Sequence, residues 1–265
     1  MLERFVELQL TLQRFFFYLG TPDGKKEFDD RSTKKLKLPT SAQWFTIQCL
    51  VELLAPFSVA SDQLGAESYP TLVSLYFIIS SLKAVLKNSG MFDELYKTVQ
   101  AESYAPKVLS KMQSVRKSFL ALMEERFDSR TEAEIIWIAL LNPYTTNSRL
   151  FAAEGFNKAK DRLLAEMLIR DCERELEKYI ERSSEAKANK KDKTPPSPLL
   201  WWKEHHSEFR TLAPLARKWL GCTASSVPSE RAFSTAGNTI TKRRGALNAD
   251  TVRDLIFMAQ NSTRS

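Results

Sequence analysis

Glu230 is the acid in this sequence whose setting best suits a divalent cation. It ends the run Ser225-Ser226-Val227-Pro228-Ser229-Glu230. Ser225 or Ser226 can cap a short helix starting around Pro228, where the missing N–H of proline costs nothing. Gly237-Asn238 can close that helix in the left-handed conformation. Glu230 then falls in the first turn, where the helix dipole favours the ionised carboxylate that a metal ligand must be. A glutamate in a first turn is also an ordinary feature of helix starts, and residue types alone favour that reading. Other metal chemistry has less to work with. Cys49, Cys172 and Cys222 lie far apart with no CxxC pair, and His205 and His206 are adjacent, so no structural zinc site can be written. The cysteines read as reduced thiols of an intracellular protein.

Two groups of cations could meet phosphates. Lys242, Arg243 and Arg244 cluster with Arg253, and four lysines lie between residues 187 and 193. The net charge of +7 and a pI near 9.2 make polyanions admissible partners without requiring them. The 242–244 cluster could contact DNA phosphates or pair with Asp250 and Asp254. The lysines of 187–193 read better as part of a flexible tether, because residues 183–198, SSEAKANKKDKTPPSP, hold no large apolar side chain and several prolines.

The elements that must position these residues are helical. With 43% hydrophobic residues, only 8 glycines and a text dominated by Leu, Lys, Glu, Ala and Arg, the 265-residue chain is expected to be mainly α, with enough apolar material for a sizeable core. Helical spacing predicts a helix over 1–17 stopped by Gly20 to Gly24, and a second capped by Thr40 or Ser41 and ended or kinked by Pro56. A third, over 72–86, is apolar on most faces and should be deeply buried. Further helices fit 91–100, 106–126 and 132–141, with a break at Asn142-Pro143, then one long amphipathic helix over 157–182 whose 173–182 portion reads as a charged surface. The longest uncharged run, 68–82, is too short and too Ser-rich for a membrane span, and the N-terminus is no secretory signal. The boundaries are therefore 1–182, a Lys/Pro-rich linker over 183–199, and a C-terminal module over 200–265.

That last segment carries a specific likeness. A Trp-rich start (Trp201, Trp202) leads through Leu212, Pro214, Leu215, Ala216 and Trp219 to Ser-Val-Pro-Ser-Glu-Arg-x-Phe-Ser-x-Ala-Gly over 226–237, followed by Arg244, Leu247, Val252 and Leu255. This series of matched spacings resembles the C-terminal dimerisation region of hAT-family transposases. Upstream, Met1-Leu2-Glu3-Arg4 is similar to the end of the family's Trp-Asn-Ser-Thr-x-x-Met-Leu-x-Arg block, and Leu140-Leu141-Asn142-Pro143 to a Leu-Asp-Pro turn with Asn142 in place of the acid.

The resemblance implies a helical insertion-type region followed by a short helical module, the remnant of an RNase H-like core without most of its sheet. It makes Glu230 the third carboxylate of an Asp-Asp-Glu set. The two Asp residues of such a set would lie ahead of Met1, and Asp29, Asp30, Asp128 and Asp161 have no strand-like run leading to them. The expectation is a transposon-derived protein that is not an enzyme by itself, with no cofactor and no metal. Mg or Mn would enter only if another chain supplied the missing carboxylates. Expected partners are a second copy or another hAT-type chain, and DNA through Lys242, Arg243 and Arg244, in the nucleus, with no membrane and no small-molecule substrate. Trp201, Trp202, Leu212, Leu215, Trp219, Phe233, Val252, Leu255 and Ile256 would serve dimerisation or packing, because two short helices cannot bury themselves alone. Two other readings stay open: a transposase piece needing the Asp-bearing half, and a helical nucleic-acid-binding module.

Overall fold

The computed structural model describes residues 1–28, 37–66, 69–127, 129–146, 151, 153–167, 172–186, 197–227, 230, 250 and 253–254. The described residues are mainly helical, as the composition predicts, with no strand among them. The chain divides into two compact units, one of Met1–Val59 and Ser80–Asp128, the other of Ala60–Ile79 and Ser129–Ser265.

The first unit holds α1 (Leu2–Glu7), α2 (Gln9–Gly20), α3 (Pro22–Glu27), most of α4 (Ser41–Leu64), the end of α5 (Leu72–Lys87), α6 (Asp93–Val99) and α7 (Ala105–Arg126). The single helix expected over 1–17 is two, parted at Leu8. The expected stop is a turn into α3, where Thr21 Oγ1 accepts the Gly24 N–H at 3.1 Å. Gly24 is required there, since a Cβ would stand 2.1 Å from the Tyr18 carbonyl oxygen.

Thr40 opens α4 through a reciprocal capping box: its Oγ1 accepts the Gln43 N–H at 3.3 Å and its own N–H donates to Gln43 Oε1 at 2.8 Å. Phe45, Cys49 and Leu53, four apart on one face, are fully buried with Leu86, Phe92, Ala105 and Met112. Pro56 does not end α4, which runs on to Leu64. A proline costs the helix one hydrogen bond and a ring clash, about 3 kcal/mol, and burial of Leu53 before it and Ala60 after it offsets this. α4 has the length and apolar character of a membrane span, but its most apolar face is committed to this core.

α5 and α7 cap each other. The Arg116 guanidinium donates to the Leu86 carbonyl at the end of α5 and, through Nε, to Gln113 Oε1 at 2.8 Å. Lys83 donates to the Phe127 carbonyl at the end of α7. Each cation therefore meets the negative end of the other helix. α5 is less buried than its composition suggests: Val73, Ile79, Leu82 and Leu86 are inside, while Val85 is exposed.

The second unit is built from the rest of α4 and α5 with α8 (Ser129–Ala139), α9 (Ala153–Met167), α10 (Cys172–Glu185), α11 (Pro198–His205) and α12 (Leu212–Leu220). Its core joins residues 136–141 to Leu163, Leu176, Tyr179, Trp201, Trp202, Phe209, Leu212 and Leu220. The carbonyls after α8 are satisfied by aromatic side chains: Tyr179 O–H donates to Leu140 O at 2.7 Å and Trp202 Nε1–H to Leu141 O at 2.8 Å. The break at Asn142-Pro143 is a turn in which Asn142 Oδ1 accepts the Tyr144 N–H at 3.1 Å.

The boundary expected over 183–199 is not where the compact units divide. The described helices of the 200–265 module share one core with α8 to α10, because α11 and α12 can cover their tryptophans only by packing on longer helices. The 173–182 portion of α10 is likewise no mere charged surface, since Leu176 and Tyr179 within it have no exposure. Residues 187–196 of the expected linker lie outside the described residues.

Candidate functional site

α10 sets the start of α12. Glu175 Oε1 accepts the N–H groups of Thr211 and Leu212 at 2.9 and 2.8 Å, taking two orphan donors with a carboxylate at the positive end of the helix. Leu212, Ala216 and Leu220, four apart, are buried on one face of α12. Leu215 and Trp219 flank that face half-buried, with the Trp219 ring edge-on to Trp137 at 5.2 Å and Lys218 Nζ 4.9 Å from its centroid. The indole N–H groups of Trp137 and Trp219 are buried without an acceptor among the described residues.

After α12 the chain is fastened to the connection between α4 and α5. The Ala224 N–H donates to Thr71 Oγ1 at 2.9 Å and Ser225 Oγ–H to Leu64 O at 3.0 Å. Gly65 lets Val227 approach, since a Cβ on it would stand 3.1 Å from Val227 Cγ1. Ser225 is thus committed to Leu64, and Ser226 begins the next turn. Its carbonyl accepts the Glu230 N–H at 2.9 Å and its hydroxyl donates to the Glu230 carboxylate. Glu230 is exposed, one turn from a helix start, as its setting predicts.

Residues 175–262 match the hAT family C-terminal dimerisation region. No curated protein matches the chain. The matched segment begins at Glu175, the residue that caps α12, and so takes in the inner face of α10 together with α11 and α12.

Within this matched segment the tryptophans expected to serve dimerisation or packing divide by burial. Trp201 and Trp202 lie inside the core, stacked against Phe209 at 5.8 Å and Tyr179 at 5.0 Å, and Leu212 is wholly buried. These three pack within the chain. Leu215 and Trp219 are partly open, and on α11 the exposed apolar side chains are Leu199 and Leu200. Arg253 pairs with Asp250 and Asp254 at 3.3 Å each, all exposed, so for this arginine the ion-pair reading applies. Phe233, Lys242, Arg243, Arg244, Val252, Leu255 and Ile256 lie outside the described residues. Among the described residues no three His, Cys, Asp or Glu side chains come together as a metal site.

Sequence reasoning missed Glu175 and Tyr179. Both sit in a stretch of alternating charge, and only the helical spacing of Leu176 and Ile180 marked its inner face.

Proposed function

We propose that this chain is a transposon-derived protein that works by self-association through its hAT C-terminal region, without catalysing DNA cleavage itself. The match of 175–262 to a dimerisation region carries this reading. Burial of Trp201, Trp202 and Leu212 takes them out of the contacting surface, which leaves the partly open Leu215 and Trp219 of α12 and the apolar stripe Val252, Leu255 and Ile256 that follows them in the sequence. Association with DNA through Lys242, Arg243 and Arg244, and residence in the nucleus, belong to the same proposal and are supported by charge alone.

Glu230 is read as a relic of a metal-binding carboxylate set. It is exposed, its carboxylate takes a hydrogen bond from Ser226, and a lone carboxylate does not organise a two-metal site. Two copies carrying different affinity tags, coexpressed and purified through one tag, should retain the other. Leu255→Glu with Ile256→Glu should abolish that retention while far-UV helicity persists. Supercoiled plasmid incubated with the protein and Mg2+ or Mn2+ should remain intact; nicking that disappears in Glu230→Gln would overturn the non-catalytic reading.

A further inference from the structure

The open faces of α11 and α12 enclose a groove of about 680 Å³. α11 contributes Leu199, Trp202, Lys203 and His206, spaced as one helical face, and α12 contributes Ala213, Pro214, Arg217 and Leu220, again one face. Trp202 and Leu220 form an apolar floor, with Leu199 and Pro214 as exposed apolar walls. The charged rim has one sign only. Lys203, Arg210 and Arg217 are exposed, and among the described residues no Asp or Glu lines the groove. Of the acids nearest in sequence, Glu208 pairs with Lys178 at 3.5 Å.

An apolar floor between three cations is a poor seat for bare phosphate, which has nothing to place on indole and leucine. It suits a peptide that offers large apolar side chains to the floor and carboxylates to the rim. We infer that the α11–α12 groove docks an acidic amphipathic segment of a partner protein, helical over two to three turns, with apolar anchors at i, i+3 or i+4, and i+7 flanked by Asp and Glu. The length follows from the grooved helices, which at about 1.5 Å per residue are 8 and 9 residues long. Its described lining includes neither Leu215 nor Trp219, the open side chains of α12 assigned to self-association.

The test uses the full chain and three fluorescent 15-residue peptides read by anisotropy. One carries Leu and Phe at those positions among Asp and Glu, the second has Ala at the anchors, and the third has Lys for every acid. The first peptide should bind at least tenfold more tightly than either control. Arg210→Glu with Arg217→Glu, both at exposed positions, should weaken it at least tenfold with helicity and solution mass unchanged, and Leu199→Asp should do so independently. Equal binding of the Ala-anchor peptide, absence of binding by the acidic peptide, or displacement of that peptide by a 15-base-pair DNA duplex would each overturn the inference. A fall in solution mass with the Arg pair changed would overturn it too, since the groove would then hold a second copy.

Discussion

Three side chains of the segment 175–262 fix its fold and its place on α8 by capping main-chain groups. Glu175 takes two N–H groups at the start of α12, and Tyr179 and Trp202 donate to the carbonyls that follow α8. Removing the cap by Glu175→Ala should cost about 1 kcal/mol, whereas Glu175→Gln, which keeps an acceptor, should cost less; urea midpoints compare them. Tyr179→Phe leaves the buried Leu140 carbonyl without its donor and should cost about 1–3 kcal/mol. Burial pushes the Tyr179 phenol far above its usual range. Burial, with Glu52 adding to it, pushes the Cys49 thiol up to about 11. In both cases the folded state holds a proton that the unfolded chain has released at alkaline pH, so stability falls as pH rises. For Cys49 the loss runs from the ordinary thiol range to about pH 11, and is on the order of 2 kcal/mol. Cys49→Ala should therefore show a shallower decline of the urea midpoint between pH 8 and pH 10 than the unaltered chain.

At the scale of elements, the helices with a continuous apolar stripe were legible in the sequence and the joints between them were not. The capping by Thr40 follows from local residue types alone, whereas the helical spacing of Trp44, Ile47, Leu50, Val51 and Leu54 does not single out the buried face Phe45, Cys49, Leu53. The same reading ends or kinks α4 at Pro56 and makes the start of the chain one helix, because a local rule does not see the tertiary burial that carries α4 through to Leu64, and no Gly or Pro marks the break at Leu8. Glu230 was placed correctly within its turn, since its hydrogen bond to Ser226 is local. The fastening of Ser225 to Leu64 and of Ala224 to Thr71 joins residues far apart in the sequence, and no spacing reveals it. That joint makes its own prediction. Gly65→Val should displace Val227 and lower the melting temperature, whereas Gly20→Ala, with nothing within 4 Å of the added Cβ, should leave it unchanged or raised.

For the molecule as a whole, the shift from a boundary at 183–199 to units that divide at 59, 79 and 128 changes what the matched segment 175–262 is. Its first half is not an independent module on a tether but part of a core shared with α8 and α9, so a fragment starting at residue 200 should be poorly helical and prone to aggregate, a result far-UV circular dichroism would show. Self-association must then come from the whole chain. The central claim is best tested by light scattering of the 30.3 kDa chain over a concentration series. A mass of two chains that falls to one with Leu255→Glu and Ile256→Glu, at unchanged helicity, is the predicted result; a monomer at every concentration would contradict it.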